Sequence, residues 1–149
     1  MVIGSHPHVL QPMIADTSSC QIRNPVVWSL GNFVSNQRTR RRDGGAMVRI
    51  EMTLHGDSAV ITGAGYLLTW VYTPTEAGKR KYYILPCAEY ENQPEFFQSV
   101  SDYNAMMLFV NDARRLLDSE NTGFREMTFN GRWEEVKRDD EPPPEPENG

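Results

Sequence analysis

The sequence predicts an α/β fold, and three observations carry that prediction. Residues 46–87 show strand periodicity, residues 103–117 show helix periodicity, and the chain opens on a short apolar strand that runs into a glycine and a histidine-rich loop. At 149 residues the chain has the size of one ordinary domain. Hydrophobic residues at 39% and charged residues at 23% are globular proportions, while the mean hydropathy of -0.55 is pulled down by one polar end.

Taken in order, Val2 and Ile3 begin the chain as a two-residue strand with no earlier strand to pair with. "NPVVWSLGNF" reads as a buried strand over residues 26–29, ended by the Gly31-Asn32 turn. In "AMVRIEMTLHGDSAVITGAGYLLTWVYT" the residues Met47, Arg49, Glu51 and Thr53 alternate against Val48, Ile50, Met52 and Leu54, and "HGDS" supplies the reversal. "KYYILPC" follows the Gly78 turn as a third strand, so residues 46–87 form an antiparallel meander. An amphipathic helix comes last. Tyr103, Met106, Met107, Val110, Ala113 and Leu117 fall on one stripe, with Ser101 or Asp102 placed to cap it. From Lys137 onward five acids face two bases, a balance of -3 that leaves -2 of the total -5 on residues 1–136. "DDEPPPEPENG" has no apolar residue to bury and its prolines deny it ladder bonds, so residues 137–149 read as a disordered acidic tail. No internal repeat occurs.

Several function classes are excluded or weakened at this level. No run of about 18 apolar residues exists, so no membrane-spanning helix is expected. The first residues lack the basic and apolar regions of a signal peptide. Cys20 and Cys87 could form one disulfide, but without CxxC spacing they read as buried, inert thiols. The slightly acidic body, with no basic helix, argues against nucleic acid.

The chemistry concentrates in "VIGSHPHVLQP". Neutral imidazoles suit zinc, iron and manganese, and His6 and His8 in extended backbone would leave the chain on one face, stiffened by Pro7. An ordinary loop with hydrogen-bonded imidazoles is the competing reading. A metal site needs at least three protein ligands, and the remaining histidine, His55, falls in the "HGDS" turn. Asp16, Asp43 and Asn32 offer oxygens, but no spacing nominates them. Asn32, just past a strand, is a candidate to orient a substrate oxygen, against plain Gly-Asn turn chemistry. "QRTRRR" places Arg38, Arg40, Arg41 and Arg42 within five positions, guanidiniums that suit carboxylates or phosphates, against the reading of a solvated loop.

Together, "VIGSHPHVLQP", "VVWSLGNFVSNQ" and "DGGAMVRIEM" resemble the carboxyl-terminal part of the CapA-type capsule synthesis proteins, the poly-γ-glutamate capsule biosynthesis family. The resemblance runs over residues 1–136. It implies the C-terminal part of an α-β-β-α metallophosphatase-like sandwich of the calcineurin-like superfamily, with a dinuclear Mn, Fe or Zn centre in the complete domain. The superfamily's Gly-His-x-His metal loop maps onto His6 and His8, and only loosely onto Gly4, because Ser5 intervenes. The family's upstream Asp, Glu and Asn-His motifs have no counterpart here, so Met1 reads as internal to a longer protein and the chain as inactive alone. The resemblance implies metal-assisted hydrolysis or transfer on an anionic polymer such as poly-γ-glutamate, partnership with the capsule synthesis machinery, and a place at the cell envelope or extracellular face. Asn32, Arg38, Arg40, Arg41 and Arg42 would bind the polymer. The alternative is a non-catalytic polymer-binding or protein-interaction module.

Overall fold

The computed structural model describes residues 1–18 and 21–137. Cys20 and the acidic tail from residue 138 lie outside them, so the expectations for both stand as they were. The fold is mixed α/β with sheets dominant. Its strands are β1 (Val2–Ile3), β2 (Met13–Asp16), β3 (Arg23–Val27), β4 (Gly44–His55), β5 (Ser58–Tyr72), β6 (Thr75–Glu76), β7 (Lys79–Arg80) and β8 (Tyr83–Pro86). A one-turn helix α1 (Cys87–Tyr90) and the long helix α2 (Val100–Glu120) follow, then β9 (Arg125–Phe129) and β10 (Trp133–Glu135). Among the described residues no helix is long and apolar enough to cross a membrane.

The antiparallel order of the meander is as the periodicity requires, with β5 pairing β4 along one edge and β8 along the end of the other, but the Gly78 turn belongs to a separate β6–β7 hairpin and the third strand covers only Tyr83–Pro86. The two-residue loop Gly56-Asp57 reverses the chain between His55 and Ser58, and His55 is exposed at that tip. Alternation along β4 ends near the tip, where residues 51–55 all face solvent. Residues 65–72 of β5 are buried on both faces, as a near-continuous apolar run should be. Tyr66, Leu68, Trp70 and Tyr72 join one core with Met106, Phe109, Val110, Ala113 and Leu117 of α2. Each fully buried large side chain contributes roughly 1.5–3 kcal/mol.

Three expectations are corrected. The helix begins at Val100 and its cap is Ser99, not Ser101 or Asp102: the Ser99 hydroxyl accepts from the Asp102 amide at 3.1 Å and donates to the Asp102 carboxylate at 2.7 Å. Phe97 and Tyr72 pack edge-to-face just ahead of this start. Nor is the helix last, since β9 adds parallel to β5 and turns through Asn130-Gly131 into β10. The strand expected over residues 26–29 is β3, earlier by several residues and central between β1 and β2. Pro25 is tolerated there because the register slips between Ile14 and Asp16, so its missing N–H falls at a bulge.

The small sheet joins the large one through the bridge between Gly31 and Gly45 and the bond from the Ala46 amide to the Leu30 carbonyl, at 2.8 Å. That junction carries the histidine loop.

Candidate functional site

The loop leaves β1 at Gly4, whose amide donates to the Val27 carbonyl at 2.7 Å. A Cβ on Gly4 would collide with the Trp28 carbonyl, so the close approach requires glycine. On its return leg, Gln11 donates to the Ser29 carbonyl at 3.1 Å, and Leu10 bridges Leu30. "SLGNF" is thereby clamped between the histidine loop and β4, and Gly31 turns at a φ of 71°.

Between these clamps His6 (φ 137°) and His8 (φ 59°) both adopt backbone that non-glycine residues rarely take. The extended geometry expected for the pair is therefore wrong, and strict i, i+2 alternation does not set their directions. Both side chains are exposed. Strained backbone of this kind persists only where surrounding structure fixes it, and it concentrates at functional sites.

Asn32 is what fixes His8. Nearly buried at 7% exposure, its amide Nδ2 donates to the Arg42 carbonyl at 2.7 Å and to Gln37 Oε1 at 3.0 Å, while Oδ1 lies 2.8 Å from His8 Nδ1. A main-chain carbonyl only accepts, so the Arg42 contact determines which end of the amide is nitrogen. An amide oxygen also only accepts, which places the proton of neutral His8 on Nδ1 and leaves the lone pair on Nε2. Metal-binding imidazoles use this arrangement, one nitrogen held by an oxygen acceptor and the other free to ligate.

The other predicted residues go elsewhere. Asp43 is buried, with Oδ2 accepting from Trp70 Nε1 at 2.9 Å and Oδ1 lacking a hydrogen bond among the described residues. Asp16 is exposed and accepts from the Ser18 amide at 2.9 Å; its pKa is lowered by hydrogen bonding from Ser18, first from the side chain and then from the amide. Neither oxygen set joins the histidines, and no three His, Cys, Asp or Glu side chains gather around an ion among the described residues. The donor set present, two imidazoles and no carboxylate, does not by itself fit a dinuclear centre.

The four arginines do not form one open cluster. Arg38 donates to the Val71 carbonyl at 2.6 Å and stacks over Trp70 at 5.1 Å; burial pulls its pKa down, with the Asp43 charge opposing. Arg40 grips Asp112 with a two-pronged bond of 2.7 and 2.8 Å, and Arg41 Nε adds a longer contact of 3.4 Å. Only Arg42 has a guanidinium with no hydrogen bond or ion pair among the described residues. Asp112 and Gln37 were missed in the sequence. The signal for Asp112 was a carboxylate three residues from Phe109 and one from Ala113, inside the apolar stripe. Burial pushes the Cys87 thiol well above its ordinary pKa, in keeping with an inert cysteine.

A family profile described as "Bacterial capsule synthesis protein PGA_cap" matches residues 1–37. The match takes in β1 to β3, both histidines and Asn32, and stops before the arginine run. It is consistent with a capsule synthesis-related protein. No curated protein and no solved structure matches the chain.

Proposed function

We propose that the chain is the C-terminal portion, over residues 1–136, of a CapA-type protein with a metallophosphatase-like sandwich. In this reading it acts in biosynthesis or remodelling of an anionic capsule polymer of the poly-γ-glutamate type, at the envelope or extracellular face. His6 and His8 are two ligands of a divalent metal site whose other ligands lie outside the described residues, and the complete site would perform metal-assisted hydrolysis or transfer. One observation supports this most: the bond of His8 to Asn32, which joins the family's two motifs and leaves the ring's other nitrogen without a hydrogen bond among the described residues. The second reading, a non-catalytic polymer-binding module, takes its support from the exposed guanidiniums of Arg41 and Arg42 and needs no ion.

Titration with Mn²⁺, followed through the ring resonances of His6 and His8, separates the two. Weak binding that broadens both rings is expected, because two imidazoles without a carboxylate supply at most half a coordination shell. Asn32→Ala should weaken it by about 10- to 100-fold by freeing the ring's other nitrogen. Rings untouched at millimolar Mn²⁺, or broadening indifferent to His8→Ala, would remove the metal reading.

A further inference from the structure

β5 covers one side of β4 from end to end. The other side is bonded at its start, where the Gly44 carbonyl accepts from the Asn32 amide at 3.0 Å and the Ala46 amide donates to the Leu30 carbonyl at 2.8 Å. From Met47 to His55, no strand or bridge among the described residues pairs with that side. The bonds at Gly44 and Ala46 fix the phase of the strand: even-numbered residues turn their main-chain groups away from β5, so those of Val48, Ile50 and Met52 form an open edge. On the even-numbered face Val48 and Ile50 pack against the core, while Met52 and Leu54 carry the same apolar row into solvent, 62% and 77% exposed. A long edge of this kind is a template for another strand, and charged side chains are the usual guard against it. Here the charges are Arg49 and Glu51, which pair with each other within the chain. Opposite signs two residues apart repel most strands, but they match their own sequence reversed.

We infer that β4 pairs antiparallel with β4 of a second copy of this chain, about a two-fold axis at Ile50. In that register Ile50 meets Ile50, and Val48 of each copy stands opposite Met52 of the other. These are the hydrogen-bonded pairs, because the even-numbered main-chain groups point outward. Arg49 of each copy then stands opposite Glu51 of the other in the positions between, where side chains come closest. Other axes lose the match. An axis at Arg49 or at Glu51 sets like charges face to face, and one at Val48 or Met52 opposes Arg49 to Met47 or to His55. The Ile50 axis also brings the exposed Met52 beside Val48, at the margin of the other copy's core. Pairing ends where Met47 meets Thr53, since the Ala46 amide is already given to Leu30. A two-fold interface needs one surface that complements itself, and this edge does so in hydrogen bonds, charge and apolar face together. The inference is independent of the polymer reading.

Sedimentation velocity on the full 149-residue chain tests this. One strand pair is a small interface, so a dimer with a Kd on the order of 10 μM is expected. Arg49→Glu and Glu51→Arg should each weaken it about tenfold, by turning both attractions between copies into repulsions. Mixed in equal amounts, the two variants should form a heterodimer within about threefold of wild-type affinity, because every charge again meets its opposite. Loss of the ion pair within each chain cannot produce that recovery. Where dimer forms, amide exchange should slow at Val48, Ile50 and Met52 and stay unchanged at Arg49 and Glu51, whose amides face β5. A chain that remains monomeric up to about 1 mM, or a dimer indifferent to both substitutions, would overturn the inference. Variants that weaken the dimer but do not recover on mixing would overturn the axis at Ile50. Slow exchange at Val48, Ile50 and Met52 in the dilute monomer would overturn it too, since another segment of the same chain would then cover the edge.

Discussion

Two polar hubs in this molecule are built alike and used differently. At one, Arg114 of α2 joins Glu91 and Glu126 with contacts of 2.7 to 3.3 Å, its side chain 16% exposed and Glu126 only 2%. Burial pulls the guanidinium's pKa down, but the hydrogen bonds to Glu126 and Glu91 outweigh it and leave it above its ordinary value. At the other, Asn32 joins His8, Gln37 and the Arg42 carbonyl. The first hub ties α2 to β9 and to the residue after α1, and its bonds run wholly between protein groups. The second hub is assembled from loops, and its satisfied bonds end on an exposed histidine whose other ring nitrogen makes no hydrogen bond among the described residues. A closed hub holds elements together; an open one aims a side chain.

Substitutions at these two hubs and at their neighbours should separate stability from function. The largest effect is expected at the closed hub. Arg114→Leu leaves the buried Glu126 and the half-buried Glu91 without their shared cation, and should cost about 3–5 kcal/mol in denaturant unfolding. A loss under about 1 kcal/mol would show that the hub is not what couples α2 to β9.

Asn32→Ala should cost less, about 1–3 kcal/mol, since one buried amide and its partners lose their bonds. Its distinguishing effect is chemical: the nitrogen resonances of His8 should change from a fixed Nδ1–H form to a mixture of tautomers. If Asn32→Ala were to destabilise as much as Arg114→Leu and leave the His8 tautomer fixed, the contrast between the hubs would fail.

Next comes Ser99→Ala, which removes the side-chain cap of α2 and should cost about 1 kcal/mol. It should speed amide exchange in the first turn of α2 while leaving Asn32 and His8 unshifted.

The smallest effect is expected at Arg40. Its side chain is 58% exposed, so solvent screens the pair and Arg40→Ala should destabilise less than Ser99→Ala at neutral pH. The hydrogen bond from Arg40 holds the Asp112 carboxyl below its usual range, with burial opposing. A depressed folded-state pKa stabilises above the unfolded value, about 3.9, and that stabilisation is lost as pH falls through the folded value. The gap between wild type and Arg40→Ala should therefore close below about pH 4, and a gap that persisted in acid would mean that Arg40 acts through packing.

How much of this was legible in advance follows from the range of each interaction. The meander and the stripe on α2 were readable because alternation and the 3.6-residue repeat are local signals. The β9–β10 hairpin carries the local turn signal Asn130-Gly131, but its strands of five and three residues are too short for alternation to mark them. The cap at Ser99 rests on its pairing with Asp102 three residues on, a local signal that competes with Ser101 and Asp102 as cap candidates within the same four residues. The amino-acid sequence by itself determined which chemistries are available: two imidazoles on a glycine-led loop, an amide beyond a strand, and a run of guanidiniums. Only the tertiary structure decided their use, because the deciding contacts span 24 residues from His8 to Asn32 and 72 from Arg40 to Asp112. Contacts at such separations are fixed by how sheets and helix pack, and no local period in the chain encodes them.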